Sequence, residues 1–114
     1  MDNKYSEYAG YFAALADEHR VRIVTLLLDG EKFAGNILKE LDISQPTLSH
    51  HMKILCESGI VSSRKDGRWT FYCISEDGRD KIFDALVDCL VEEDDRKTFE
   101  QKRRTKRKTD IVLL

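Results

Sequence analysis

The stretch ISQPTLSHHMKIL, Ile43 to Leu55, decides how this chain is read. Ser44 has the side chain of an N-cap, and Pro46 falls in the first turn, where its missing N–H takes nothing from a helix. The helix it opens runs to about Ser58, where Gly59 can adopt the left-handed conformation that ends it. At 100° per residue, Leu48, Met52 and Leu55 gather on one side of this helix, while Gln45, Ser49, His50 and Lys53 gather on the other. One side belongs to a core, and the other is built of groups that bond bases and phosphates. Gln bonds adenine in bidentate fashion, Ser and Thr bond bases or phosphates, Lys brings a cation, and His acts according to its tautomer. Thr47 and His51 fall toward the flank, which suits phosphate contact or packing.

Upstream, a short helix is expected around Ala34 to Leu41, with Ile37, Leu38 and Leu41 apolar, and the tight DIS turn joins it to the first. Helix, short turn, helix is the pattern of a helix-turn-helix. Before it, Asp17 can cap the run RVRIVTLLL, which places Val21, Val24, Leu27 and Leu28 inward, with Gly30 as its stop. Earlier still, Tyr5, Tyr8, Ala9, Phe12, Leu15 and Ala16 recur at three- and four-residue steps, an aromatic stripe on one more helix.

Downstream the period changes to that of strands. Ile60 to Lys65 and Arg68 to Ile74 are rich in β-formers and are joined by Asp66-Gly67, a strong hairpin signal. Arg64, Lys65 and Arg68 surround its tip, a basic wing suited to DNA beside a helix-turn-helix. Ser75 can cap a final helix with Ile82, Phe83, Leu86, Val87 and Leu90 as its apolar stripe. The expected fold is mainly α with a two-stranded β wing, a winged helix-turn-helix.

A chain of 114 residues is one domain's worth, and a second copy would help it bury a core. The net charge of −2 is unevenly spread: Arg96 to Lys108 holds eight basic residues and one acidic, whereas residues 1–95 hold eleven basic against nineteen acidic. Residues 1–95 are therefore read as the DNA-binding and dimerisation domain, and 96–114 as a basic C-terminal extension that can add phosphate contacts. No window is apolar enough for a membrane span, and the acidic MDNKYSEY lacks the basic start of a signal peptide, so a cytoplasmic location is expected. Cys56, Cys73 and Cys89 are scattered and odd in number, with no CxxC pair, which excludes a disulfide framework or a zinc knuckle.

The segments FAALADEHRVRIVTLLLDGE, LDISQPTLSHHMKILCESGIV and RKDGRWTFYCI together resemble the ArsR/SmtB family of winged helix-turn-helix repressors, over roughly Tyr11 to Leu90. The resemblance implies a homodimer, formed through the first and last helices, that represses transcription from an inverted-repeat operator in double-stranded DNA and lets go when an inducer binds. It places Ser44, Gln45, Thr47, Ser49 and His50 at positions that approach DNA, and His51 where the family also tends to have histidine. Many such relatives sense arsenite, cadmium or lead through a CxC pair in a motif resembling ELCVCDL. The matching stretch here is GEKFAGNIL, so those positions hold Phe33 and Gly35, which bind no metal. Others hold zinc, nickel or cobalt through histidines on the last helices, and SEDGRDKIFDALVDCLVEEDD contains none. Its carboxylates Asp84, Asp88 and Glu92 form a row typical of a solvated helix face.

No metal site, cofactor or catalytic residue is therefore expected. Ser49 with His50 lacks a glycine elbow or oxyanion loop, and His51 with Cys56 shares no helical turn, so the chain is not read as an enzyme. The inducer stays unassigned. The alternatives are a thiol-redox sensor using Cys56 or Cys89, a metal sensor with a non-standard site, or a winged helix used as a protein-interaction module.

Overall fold

The computed structural model describes residues 3–102. It contains helix α1 at Lys4–Leu15, α2 at Glu18–Leu26, a 3-10 turn at Leu27–Asp29, strand β1 at Lys32–Phe33, α3 at Ala34–Leu41, α4 at Gln45–Glu57, β2 at Val61–Asp66, β3 at Trp69–Ile74 and α5 at Glu76–Leu90. Two compact units divide the chain, Met1–Ile82 and a second from Phe83 onward.

Side chains cap the helices where their residue types call for it. The Asn3 carboxamide accepts from Ser6 N at 2.9 Å, Asp17 accepts from the amides of His19 and Arg20 at 2.8 and 3.2 Å, and Ser44 Oγ accepts from Thr47 N at 3.3 Å. Ser75 Oγ accepts from Gly78 N at 3.1 Å at the start of α5. Each such cap is worth about 1 kcal/mol. Helix α4 stops at Gly59, whose φ of 85° is open to glycine at little cost. Gly78 is required for a different reason, because a Cβ there would run into the backbone carbonyl of Gly59.

The core of the first unit is gathered around α4. Ile23 and Leu27, Ile37 and Leu41, and Ile60 and Val61 are all buried with Leu48, Met52 and Leu55. Four of these, Ile23, Ile37, Met52 and Leu55, are fully enclosed, and each such side chain contributes about 2 kcal/mol by leaving water.

Two inward assignments on α2 need correction. Ile23, not Val21, is the enclosed residue of α2, while Val21 and Leu28 remain 49% and 73% exposed. The helix tightens into a 3-10 turn at Leu27, which breaks the even 100° phase on which the sequence pattern relied. On α1 the buried side chains are Tyr11 and Ala14, so Tyr5 at the head of the aromatic stripe is left 66% exposed.

The wing is also larger than a two-stranded hairpin. Its sheet has three antiparallel strands in the order β1-β3-β2, because Lys32 and Phe33 pair with Tyr72 and Phe71. In the hairpin itself Asp66 pairs with Trp69, which moves the turn one residue along to Gly67-Arg68. Gly67 has φ of 61° and Arg68 does not, the pattern of a type II′ turn with glycine at its first central position.

In the second unit, the Arg96 side chain folds back on the end of α5. It donates to the carbonyls of Val91 and Asp88 at 3.1 and 3.2 Å and pairs with the Asp88 carboxylate at 3.3 Å. A cation here satisfies carbonyls that the helix end leaves open. The basic extension expected from residue 96 is described only to residue 102; the rest lies outside the described residues.

Candidate nucleic-acid interface

Helix α4 presents two unlike faces. Gln45, Ser49, His50 and Lys53 are exposed, while Leu48, His51, Met52 and Leu55 are buried. All four expected reading residues therefore share a free surface. Lys53 Nζ lies 4.0 Å from Glu57 Oε1, a loose exposed pair that leaves the ammonium available. Ser44 and Thr47 are exposed too, but their hydroxyls bond each other at 2.8 Å as part of the cap. One of the two hydroxyls donates its proton to that bond, which leaves the proton of the other for a phosphate oxygen.

His51 is a packing residue that ties α4 to the start of α2. Arg20 Nη1 donates to His51 Nδ1 at 3.1 Å, and a guanidinium is never an acceptor, so Nδ1 carries no proton and the ring is neutral. Burial pushes the imidazole below its ordinary value. Arg20, His19 and His50 push the same way, and the Asp17 carboxylate 3.9 Å off opposes them without prevailing. His51 and Asp17 are thus not an ion pair at neutral pH. Arg20 is itself held by the carbonyl of Ala14 at 2.7 Å. The rings of His19 and His50 lie 5.4 and 5.7 Å from His51, so the chain's three histidines meet in one row.

The three basic residues of the wing are not equivalent. Lys65 and Arg68 are exposed, Arg68 with its guanidinium 5.3 Å from the centre of the Trp69 ring. Arg64 is engaged elsewhere: its Nε and Nη2 donate to the two oxygens of Glu31 at 2.8 and 2.7 Å, and its guanidinium lies 4.3 Å from the centre of Phe71. The Arg64 hydrogen bond holds the Glu31 carboxyl below the usual carboxylate range, against a smaller upward push from burial. Arg64 thereby clips β2 to the chain just ahead of β1. Sequence patterns named Arg64 but missed Glu31, since nothing local signals a partner 33 residues away.

Phe33 and Gly35, the two positions that the family resemblance matches to thiolates, lie in an aromatic arrangement. Phe33 meets Trp69 edge to face at 4.8 Å and Phe71 at 5.9 Å, and its ring lies over Gly35 closely enough that any Cβ there would collide with it. Of the two thiols considered as redox sensors, Cys89 is exposed and Cys56 is half-buried. Burial pushes the Cys56 thiol up, although a hydrogen bond with Ser63 works the other way, and a raised thiol holds less of the reactive thiolate.

A helix that buries one side and offers Gln45, Ser49, His50 and Lys53 on the other, beside a hairpin tipped with Lys65 and Arg68, defines a winged-helix DNA-binding protein. The family description "Bacterial regulatory protein, arsR family" matches residues 17–63. An uncharacterized HTH-type transcriptional regulator of Methanocaldococcus jannaschii is 44% identical over 88 residues, covering 76% of this chain and 98% of that protein. The arsenical resistance operon repressor of Staphylococcus aureus is 39% identical over 82 residues, covering 72% of this chain and 79% of its own. An ArsR-like transcriptional regulator from Rhodococcus sp. RHA1 superposes with a TM-score of 0.65 at 30% identity, over 95% of this chain and 94% of that one. The chain belongs to the ArsR family of bacterial regulatory proteins. It is a DNA-binding transcriptional regulator and not an enzyme.

Proposed function

We propose that the chain works as a homodimer on an inverted-repeat operator, with α4 of each copy in successive major grooves and each wing on the flanking backbone. The observation that carries this reading is the exposure of Gln45, Ser49, His50 and Lys53 together on the face of α4 opposite its buried side chains. An α-helix fits the major groove, and side chains near its N-terminus come closest to base edges. In this arrangement Gln45, Ser49 and His50 read bases, Ser44, Thr47 and Lys53 meet phosphate, and Lys65 and Arg68 extend the contact along the backbone. Arg64 contributes by holding the wing in place through Glu31.

Support for a second copy comes from apolar side chains that are partly or largely exposed in the single chain. Tyr5 on α1 is exposed, and Phe83, Leu86 and Leu90 on α5 are 37%, 37% and 77% exposed. Isolated exposed apolar residues are ordinary, but a row of them along one helix marks a contact surface. No helix among the described residues is long and apolar enough to cross a membrane. A DNA partner accords with a cytoplasmic location. The repressor is released by an inducer.

Selection of bound sequences from random DNA tests the reading. The expected product is an inverted repeat whose half-site centres lie about one helical turn or a multiple of it apart. Enrichment of no sequence, or of a single half-site, contradicts it. In sedimentation the chain is expected at twice its 13.2 kDa mass, and Leu90→Glu is expected to shift it toward the monomer.

A further inference from the structure

A cleft of about 330 Å³ opens between the wing and the two helices of the helix-turn-helix. Phe33, Trp69 and Tyr72 supply aromatic surface, Leu38 and Leu48 line it with aliphatic surface, and Arg68, Gln45 and Ser49 complete the lining with polar groups. The volume is at the lower end of the range occupied by small-molecule ligands. Its lining holds one cation and no carboxylate. Arg68 has no carboxylate partner among the described residues, in contrast to Arg64, whose charge is matched by Glu31. An unpaired guanidinium at the edge of an aromatic cleft suits a planar anion, because it presents a fork to a carboxylate while the rings take up the apolar body.

We propose that this cleft is the effector site, and that its ligand is a small planar aromatic carboxylate. The proposal rests on Gln45 and Ser49 reading DNA, because a ligand seated against those two side chains and against Arg68 occupies the surface the operator needs. Ligand and operator would then exclude each other, and ligand binding would release DNA by mass action without a relayed conformational change. The positions occupied by thiolates in metal-sensing relatives would here form part of the wall of an organic-anion site, through Phe33 and Gly35.

The chain contains one tryptophan, Trp69, and it lines the cleft, so its indole N–H resonance is a local probe. Titration of the full chain with 2-naphthoate, in the absence of DNA, is expected to shift that resonance saturably at submillimolar concentration. Arg68→Gln is expected to weaken the binding at least tenfold, and the uncharged 2-naphthylmethanol is expected to bind at least tenfold more weakly than the acid. No saturable shift, or equal binding of acid and alcohol, overturns the proposed ligand class. A second arm adds 2-naphthoate to a preformed complex with selected operator, where release is expected over the concentrations that saturate the indole shift. Binding without release overturns the effector role. Because the first arm contains no DNA, its failure is distinct from failure of the DNA-reading assignment, which is tested on operator DNA with variants of Gln45 and His50.

Discussion

His50 and His51 are neighbours in sequence and opposites in environment. His50 stands exposed on the face of α4 with Gln45, Ser49 and Lys53, whereas His51 is 7% exposed and accepts a hydrogen bond from Arg20. The two faces they represent obey different physics. On the buried face, substitution removes packing and leaves a guanidinium without its acceptor, so the cost falls on stability. On the open face, substitution removes groups that are mostly in solvent in the free protein, with His50 alone reaching the ring of His51, so the cost falls chiefly on recognition. The wing repeats the contrast one residue apart, with Arg64 bound to Glu31 and Lys65 open to solvent.

The contrast is broken most severely from the buried side. Leu55 is 0% exposed, and Leu55→Ala should cost about 2–5 kcal/mol in chemical denaturation. A loss below about 1 kcal/mol would mean that α4 is not anchored as described. His51→Ala should cost about 2 kcal/mol, the worth of a hydrogen bond to a charged donor.

His51 also sets a pH dependence. Asp17, Arg20, His19 and His50 face it, and its folded pKa lies below that of the unfolded ring, with burial the main cause. The unfolded chain therefore binds the proton first. The stability contributed by neutral His51 is complete above about pH 6.5 and is lost as pH falls from there toward the folded value. Urea midpoints at pH 7.5 and 5.5 should show this fall in the unmodified chain and in His50→Gln, and a smaller fall in His51→Gln. An undiminished fall in His51→Gln would exclude it as the origin.

The smallest effect separates Arg64 from Lys65. Removing a phosphate contact lowers the salt slope of DNA binding by about one. Lys65→Ala should show that loss, and Arg64→Ala should keep the slope, since its guanidinium is already held by Glu31. Equal slopes for the two variants would remove the distinction between the clip and the contact.

Much of this was legible in the sequence because its signals are local. Ser44, Pro46 and Gly59 mark the ends of α4, and the alternation of Leu48, Met52 and Leu55 with polar residues marks its two faces. The family resemblance supplied the expectation of a dimer and of an inverted-repeat operator. What stayed hidden is non-local. Two residues, Lys32 and Phe33, carry no strand pattern of their own and become β1 only by pairing with β3. Arg20 with His51 and Glu31 with Arg64 join partners 31 and 33 residues apart. The inward assignment of Leu28 failed because the helix changes pitch at Leu27, which a fixed periodicity cannot register, and that of Val21 failed because the buried stripe of α2 runs through Ile23 and Leu27, four residues apart.

The measurement closest to the central claim is a gel-shift titration of operator against random DNA, using the double variant Gln45→Ala, His50→Ala. Each lost base contact is worth about 1–3 kcal/mol of discrimination. The preference for operator is expected to fall at least tenfold, with the denaturation midpoint and the sedimenting mass unchanged. Undiminished preference would show that the open face of α4 is not the surface that reads DNA.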